Sequence, residues 1–161
     1  MSEASDALVL FGATGDLAHK KIFPSIYAMA ARGGLDVPVI GVASSEGDDE
    51  HLRGLLRDSV TEFVEDVDAE VLDRLAERVR YVSGDYREDR VYDDLAGVLG
   101  GSERPLFYLA IPPGLFDDVV TGLGRVGVAE GGRVVVEKPF GRDRASAKEL
   151  NDCIHRTFAE R

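Results

Sequence analysis

Short apolar runs alternate along this chain with longer stretches whose apolar residues recur at helical spacing. Residues 7–11 form a continuous apolar run that stops at Gly12. Residues 17–31 then read as a helix ending at Gly33 and Gly34, residues that suit a helix C-terminus. A second apolar run covers 37–42. In 49–64, Leu52, Leu55, Leu56, Val60, Phe63 and Val64 fall on one helical face. A helix over 69–77 leads into a third strand at 80–83, and a helix over 89–99 stops at Gly100 and Gly101. The fourth run, 106–111, meets Pro112 and Pro113, which end strand and helix alike. A helix over 116–126, a fifth strand at 133–136 and a helix over 143–158, with Asp143 as its N-cap, complete the pattern.

Continuous apolar strands imply burial on both faces, and strands interleaved with helices imply βαβ units in a parallel sheet. Right-handed crossovers then favour an α/β fold of the Rossmann type: a doubly wound parallel sheet in three αβα layers, strand order 3-2-1-4-5. With no internal repeat and no linker, 1–161 reads as a single domain.

Composition narrows the partners. The chain is 44% hydrophobic, enough to fill a core, and carries 30 acidic against 19 basic residues for a net charge of −11. Such a surface repels nucleic acid and anionic membranes, so neither partner is expected. A phosphorylated small ligand needs only a few well-placed donors and stays open. Cys153 is the one cysteine, so neither a disulfide within the chain nor a cysteine metal cluster is expected. The start, 1–6, lacks a basic-then-apolar signal pattern, and no apolar run approaches the roughly 18 residues of a membrane helix. The expectation is a soluble, cytoplasmic protein.

The candidate chemistry begins where the first strand ends, at Gly12, Ala13, Thr14, Gly15, Asp16 and Leu17. Strand, glycine turn and helix start, in that order, present free backbone N–H groups and the positive end of a helix dipole to a diphosphate. Gly12 would permit the tight turn and Gly15 a close approach of the ligand. The third glycine of the common fingerprint is replaced by Ala18, so the motif alone equally describes an ordinary βα turn. Lys20 and Lys21 read either as a solvated face or as cations beside the ligand; helical neighbours point roughly 100° apart, so only one can face a crevice. The run Val136, Glu137, Lys138, Pro139, Phe140, Gly141 puts Lys138 just beyond the fifth strand, on the rim where open parallel sheets bind ligands. Ala110, Ile111, Pro112 and Pro113 leave the fourth strand at that rim. By themselves these two segments are equally well read as rigid loops.

Together these segments resemble the glucose-6-phosphate dehydrogenase family. The resemblance rests on 12–18 continuing to Lys21, Ile22, Phe23 and Pro24, on 107–113, and on 136–143. It implies hydride transfer from C1 of glucose 6-phosphate to a nicotinamide dinucleotide, giving a phosphogluconolactone in the pentose phosphate pathway. By resemblance, 12–17 hold the pyrophosphate, and Lys21 and Lys138 stand where coenzyme and sugar phosphate meet. Asp85 and Tyr86 lie near the adenosine, and Pro112, Pro113 and Phe116 line the nicotinamide side.

The chain departs from the family in two places. Ser44 stands where the family usually has an arginine for the 2′-phosphate of NADP, and Glu46, Asp48 and Asp49 follow it. Serine lacks arginine's charged fork, and an acid at this strand end typically takes ribose hydroxyls in NAD enzymes. NADP is the expected coenzyme, with NAD close behind. The family's His-Tyr-Leu-Gly-Lys-Glu stretch does not occur, and none of His19, His51 and His155 follows a strand at the rim. Oxidising a hydroxyl needs a base for its proton. The expectation is therefore a coenzyme-binding domain without the family's C-terminal substrate and catalytic domain. No catalytic residue lies in this chain, and glucose 6-phosphate would be held mainly by the missing half. Such a chain binds coenzyme without turnover; a free-standing, non-catalytic dinucleotide-binding or regulatory module is the alternative. A homo-oligomer stays open. A short-chain reductase is disfavoured, because no tyrosine has a lysine four positions on.

Overall fold

The computed structural model describes residues 5–128 and 131–136. Strand β1, Ala7–Phe11, leads through the glycine turn into a helical segment that holds a π turn at Ala18–Ile22 and continues as α1, Phe23–Ala31. β2 (Val39–Ala43), α2 (Asp49–Phe63), α3 (Ala69–Glu77) and β3 (Val79–Ser83) follow. Then come α4 (Asp89–Leu99), β4 (Pro105–Leu109), a 3-10 turn at Pro113–Leu115, α5 (Phe116–Arg125) and β5 (Arg133–Val136). All pairings are parallel, and the order is β3-β2-β1-β4-β5, as the pattern predicts. The expected helix over 143–158 lies outside the described residues. Among the described residues, no helix is long and apolar enough to cross a membrane.

Side-chain alternation along β1 divides the interior into two cores. Leu8 and Leu10 pack with Ile22, Ile26, Leu52, Leu56 and Leu75 beneath α1, α2 and α3. Val9 and Phe11 pack with Phe107, Leu109, Tyr92, Leu95 and Leu123 beneath α4 and α5. The sheet is thus covered on both sides, in three layers. Burial is complete only along β1 and β2; at the edges, β5 exposes alternate residues and β3 exposes Arg80, so their apolar runs do not mean double coverage.

The π turn has a cause in the sequence. Phe23 N–H donates to the Ala18 carbonyl, five residues back. The next carbonyl in that series, His19 O, would draw on residue 24, which is proline and has no N–H. Ser59 on α2, 0% exposed, supplies the missing donor: its hydroxyl donates to His19 O. A buried serine is thereby satisfied by the carbonyl that Pro24 leaves without a donor.

Candidate functional site

Because every strand runs the same way, their carboxyl ends share one rim: Phe11 is in register with Val42 and Leu109, Ala43 with Ser83, and Leu109 with Val136. The order reverses between β1 and β4, and the glycine turn stands at that switch point, where such sheets bind ligands.

Gly12 has φ +84°, a left-handed value that glycine adopts freely, and a Cβ there would sit 2.1 Å from the Ala110 carbonyl oxygen. The turn is packed that closely against the end of β4. Its first amides point inward. Gly12 N–H donates to the Val42 carbonyl at 2.9 Å, Ala13 N–H to the same oxygen at 3.4 Å, and Gly15 N–H to Gly12 O at 3.0 Å. The helical ladder opens with His19 N–H to Gly15 O at 3.1 Å. The N–H groups of Asp16, Leu17 and Ala18 lie ahead of that ladder, the unpaired donors of a helix start.

A diphosphate fits this arrangement on a specific test. Gly15 is exposed and has no positive φ, and a Cβ added there would meet only Gly12 O, at an ordinary contact distance of 3.4 Å. Among the described residues, nothing requires glycine at that place. The missing side chain leaves the outer surface of the turn bare beside the unpaired amides, where negative charge is favoured.

On the β2 side, the Thr14 and Ser45 hydroxyls share a hydrogen bond of 3.1 Å, and Tyr81 donates its hydroxyl to the Ser45 carbonyl. Ser44 and Glu46 are exposed. Asp48 is the N-cap of α2, accepting from His51 N–H at 2.9 Å. Asp49 accepts from Tyr81 N–H at 2.7 Å and lies 3.9 Å from Arg80. Two of the three acids that follow Ser44 are therefore engaged in capping and strand contacts.

Asp85 is bound by Arg87, whose Nε, Nη2 and backbone N–H donate to it at 3.1, 3.0 and 2.9 Å; the Arg87 side chain holds its carboxyl below the usual range. Tyr86 turns into the core, and its hydroxyl accepts from Gly12 N–H at 2.9 Å and donates to the Val42 carbonyl at 3.0 Å. Burial pushes that hydroxyl up to about 12. Pro112 is exposed at the rim, and Pro113 opens the 3-10 turn into α5. Phe116, read as lining the nicotinamide side, is a core residue, 2% exposed and packed with the α4 and α5 cluster.

Lys21 lies on the π turn and lines a cavity of about 670 Å³ that extends along the sheet face from Leu10 and Tyr108 to Ala7, Leu8 and Leu106 at the strands' amino ends, and that no residue of the glycine turn lines. Lys20 is exposed. Lys138 falls outside the described residues; β5, two residues before it, reaches the common rim at Val136. His19 pairs with Glu62 at 2.7 Å and His51 lies on α2 beside the Tyr81 ring, so neither side chain is bonded to the glycine turn. Among the described residues, no group of three or more His, Cys, Asp and Glu residues could hold a metal ion. Sequence reasoning missed the inward role of Tyr86 and the Ser59 donor, because both partners lie far away along the chain.

A doubly wound parallel sheet with a glycine turn at its switch point defines a nucleotide-binding α/β domain. Comparison with known proteins narrows the class: the family described as "Glucose-6-phosphate dehydrogenase, NAD binding domain" matches residues 9–161. This chain belongs to that family. It is 45% identical over 157 residues to glucose-6-phosphate 1-dehydrogenase 1 of Mycobacterium bovis, an alignment covering 98% of this chain and 34% of that protein. It is 34% identical over 172 residues to the chloroplastic glucose-6-phosphate 1-dehydrogenase of Spinacia oleracea, covering 98% of this chain and 29% of that one. Among solved structures, the Mycobacterium avium glucose-6-phosphate 1-dehydrogenase superposes with a TM-score of 0.91 at 42% identity, covering 98% of this chain and 35% of that one. A glucose-6-phosphate dehydrogenase in complex with glucose 6-phosphate superposes at 0.84 and 31% identity, covering 99% of this chain and 36% of that one. The chain spans about a third of the length of the curated relatives it matches.

Proposed function

We propose that these residues form, as a single domain, the coenzyme-binding part of a glucose-6-phosphate 1-dehydrogenase, and that the glycine turn holds the coenzyme's pyrophosphate. The observation that carries this reading is the bare Gly15 surface beside the amides of Asp16 and Leu17, at the switch point of the sheet. Thr14 and Ser44 would face the adenosine half, and Pro112 and Pro113 the nicotinamide half. Asp85 stiffens the loop after β3 through Arg87. Lys21 and Lys138 would meet the sugar phosphate where it approaches the coenzyme.

The bound nicotinamide supplies the hydride acceptor for C1 of glucose 6-phosphate. What this chain contributes is binding and orientation. Removing the hydroxyl proton requires a base, and the side chain of neither described histidine is bonded to the turn. The 161 residues therefore bind coenzyme without turning over sugar.

NADP is the proposed coenzyme, and NAD the second reading. The capping of α2 by Asp48 and the bond from Tyr81 N–H to Asp49 favour NADP, because each carboxylate has one oxygen committed to the fold rather than to ribose hydroxyls. Glu46 and the uncharged Ser44 favour NAD. Calorimetric titration with NADP and NAD, beside an assay for glucose 6-phosphate oxidation, tests the reading. Binding without turnover is the expected result. Turnover would show a base within this chain, and failure to bind either dinucleotide would refute the reading.

A further inference from the structure

Tyr86 sits in an unusual place for a residue of the ligand rim. Its ring is 7% exposed and meets Phe11 edge-on, with ring centroids 5.8 Å apart. Its hydroxyl lies where three segments converge: the turn after β1, the end of β2 and the loop after β3. There it accepts from Gly12 N–H at 2.9 Å and donates to the Val42 carbonyl at 3.0 Å. That carbonyl also takes the N–H groups of Gly12 and Ala13. The loop carrying Tyr86 is itself anchored, because the Tyr92 hydroxyl on α4 donates to the Tyr86 carbonyl at 2.6 Å.

Gly12 is the residue of the turn that takes a left-handed φ, +84°. It is held from the ligand-distal side by one hydroxyl and one carbonyl. Removing the hydroxyl leaves the 2.9 Å bond from Gly12 N–H to Val42 O in place, so the fold does not depend on it. The direction of the amides that follow depends on how firmly Gly12 is fixed.

We propose that Tyr86 is a positioning residue for dinucleotide binding. From beneath the turn, its hydroxyl keeps the Gly12 and Ala13 amides directed inward, so that the Asp16 and Leu17 amides and the bare face of Gly15 meet the diphosphate. This rests on the reading that the turn holds the pyrophosphate. Without the hydroxyl, Gly12 is held by the Val42 carbonyl alone, and the backbone freedom so released must be fixed by the ligand, a loss of up to roughly tenfold in affinity.

The test uses the 161-residue chain and its Tyr86→Phe and Gly15→Val variants. Calorimetry gives the affinities for NADP, ADP and AMP, and thermal melting of the free proteins reports stability. The ratio of ADP to AMP affinity isolates the second phosphate. Tyr86→Phe should weaken NADP and ADP by up to about tenfold and lower that ratio by the same factor. A role in stability alone would lower the melting temperature and leave the ratio unchanged, which overturns the proposal. An equal loss for AMP overturns it too, since the effect would then lie on the adenosine side. Tyr92→Phe, which frees the Tyr86 carbonyl and keeps both rings, should shift the ratio in the same direction by less; no shift in either variant overturns the proposal. If Gly15→Val leaves ADP binding intact, or the unaltered chain does not prefer ADP to AMP, the pyrophosphate reading itself is what fails.

Discussion

Replacing Ser59 with alanine probes a contact that joins α2 to the helix carrying Lys20 and Lys21. The hydroxyl donates to the His19 carbonyl, whose donor in the helical series would be the absent N–H of Pro24. Deleting it leaves that carbonyl unpaired beside a fully buried position, at a cost of about 1–3 kcal/mol. The contact is partly buried, so we expect about 1.5 kcal/mol, a fall in melting temperature of about 3–6 °C for a chain of this size. The cost should depend on residue 24. Pro24→Ala restores an N–H that can serve His19 O directly, or let the π turn close into a regular helix. In that background, Ser59→Ala should cost less than about 0.5 kcal/mol, giving a coupling of about 1 kcal/mol between two residues 35 positions apart. Urea denaturation of the four proteins in the cycle measures it. Simple additivity would refute the account, because it would mean that Ser59 stabilises the fold independently of the carbonyl Pro24 leaves open.

Three further outcomes are expected. Gly12→Ala forces a left-handed residue and a Cβ 2.1 Å from the Ala110 carbonyl oxygen, so urea melts should show a loss of about 3 kcal/mol; under about 1 kcal/mol, the turn is not packed as described. Ser44→Arg should tighten NADP by about 2 kcal/mol, some thirtyfold, and leave NAD nearly unchanged in calorimetry; unaltered NADP affinity would place the 2′-phosphate elsewhere. Burial pushes the Asp6 carboxyl up, but hydrogen bonds from the Ser102 hydroxyl and from Glu103 and Arg104 N–H, with the Arg104 charge, hold it below its ordinary 3.8. Its contribution is therefore present above pH 3.8 and lost as the pH falls through the lower folded value, so Asp6→Asn should flatten the acid limb of a stability profile, and an unchanged limb would count against it.

The fold was legible because its signals are local and redundant. Each apolar run is bounded by glycine, proline or a helix cap, and five runs separated by helices admit few parallel arrangements. The ends were less legible, since pairing sets them. β2 runs Val39–Ala43 rather than 37–42 because Pro38 offers only its carbonyl, which accepts from Leu8 N–H at 2.9 Å. β3 begins at Val79, one residue early, in register with Val39. The inference that apolar strands are covered on both faces holds for the central pair and fails at the edges, where β5 exposes Val135. The π turn left only a trace in the sequence, a proline inside a helical run; its buried donor lies 40 positions from His19.

The site divides the same way. The glycine turn could be read because strand, turn and helix start are contiguous, whereas Tyr86 stands 74 positions from the amide it holds. The acids after β2 show a different limit. Grouped with Ser44 by proximity, Asp48 read as a charge facing the coenzyme, although an aspartate directly before a helical run is equally an N-cap, the role it takes. With Asp48 capping α2, Asp49 bound to β3, and Ser45 fastened to Thr14 and Tyr81, the loop is fixed at three of its residues. Of the exposed side chains between β2 and that cap, Ser45 is held in those bonds, and Ser44 and Glu46 are the ones a coenzyme's ribose substituent would find. Coenzyme preference can then shift by changing those two residues without loosening the start of α2, because neither takes part in the bonds that hold the loop.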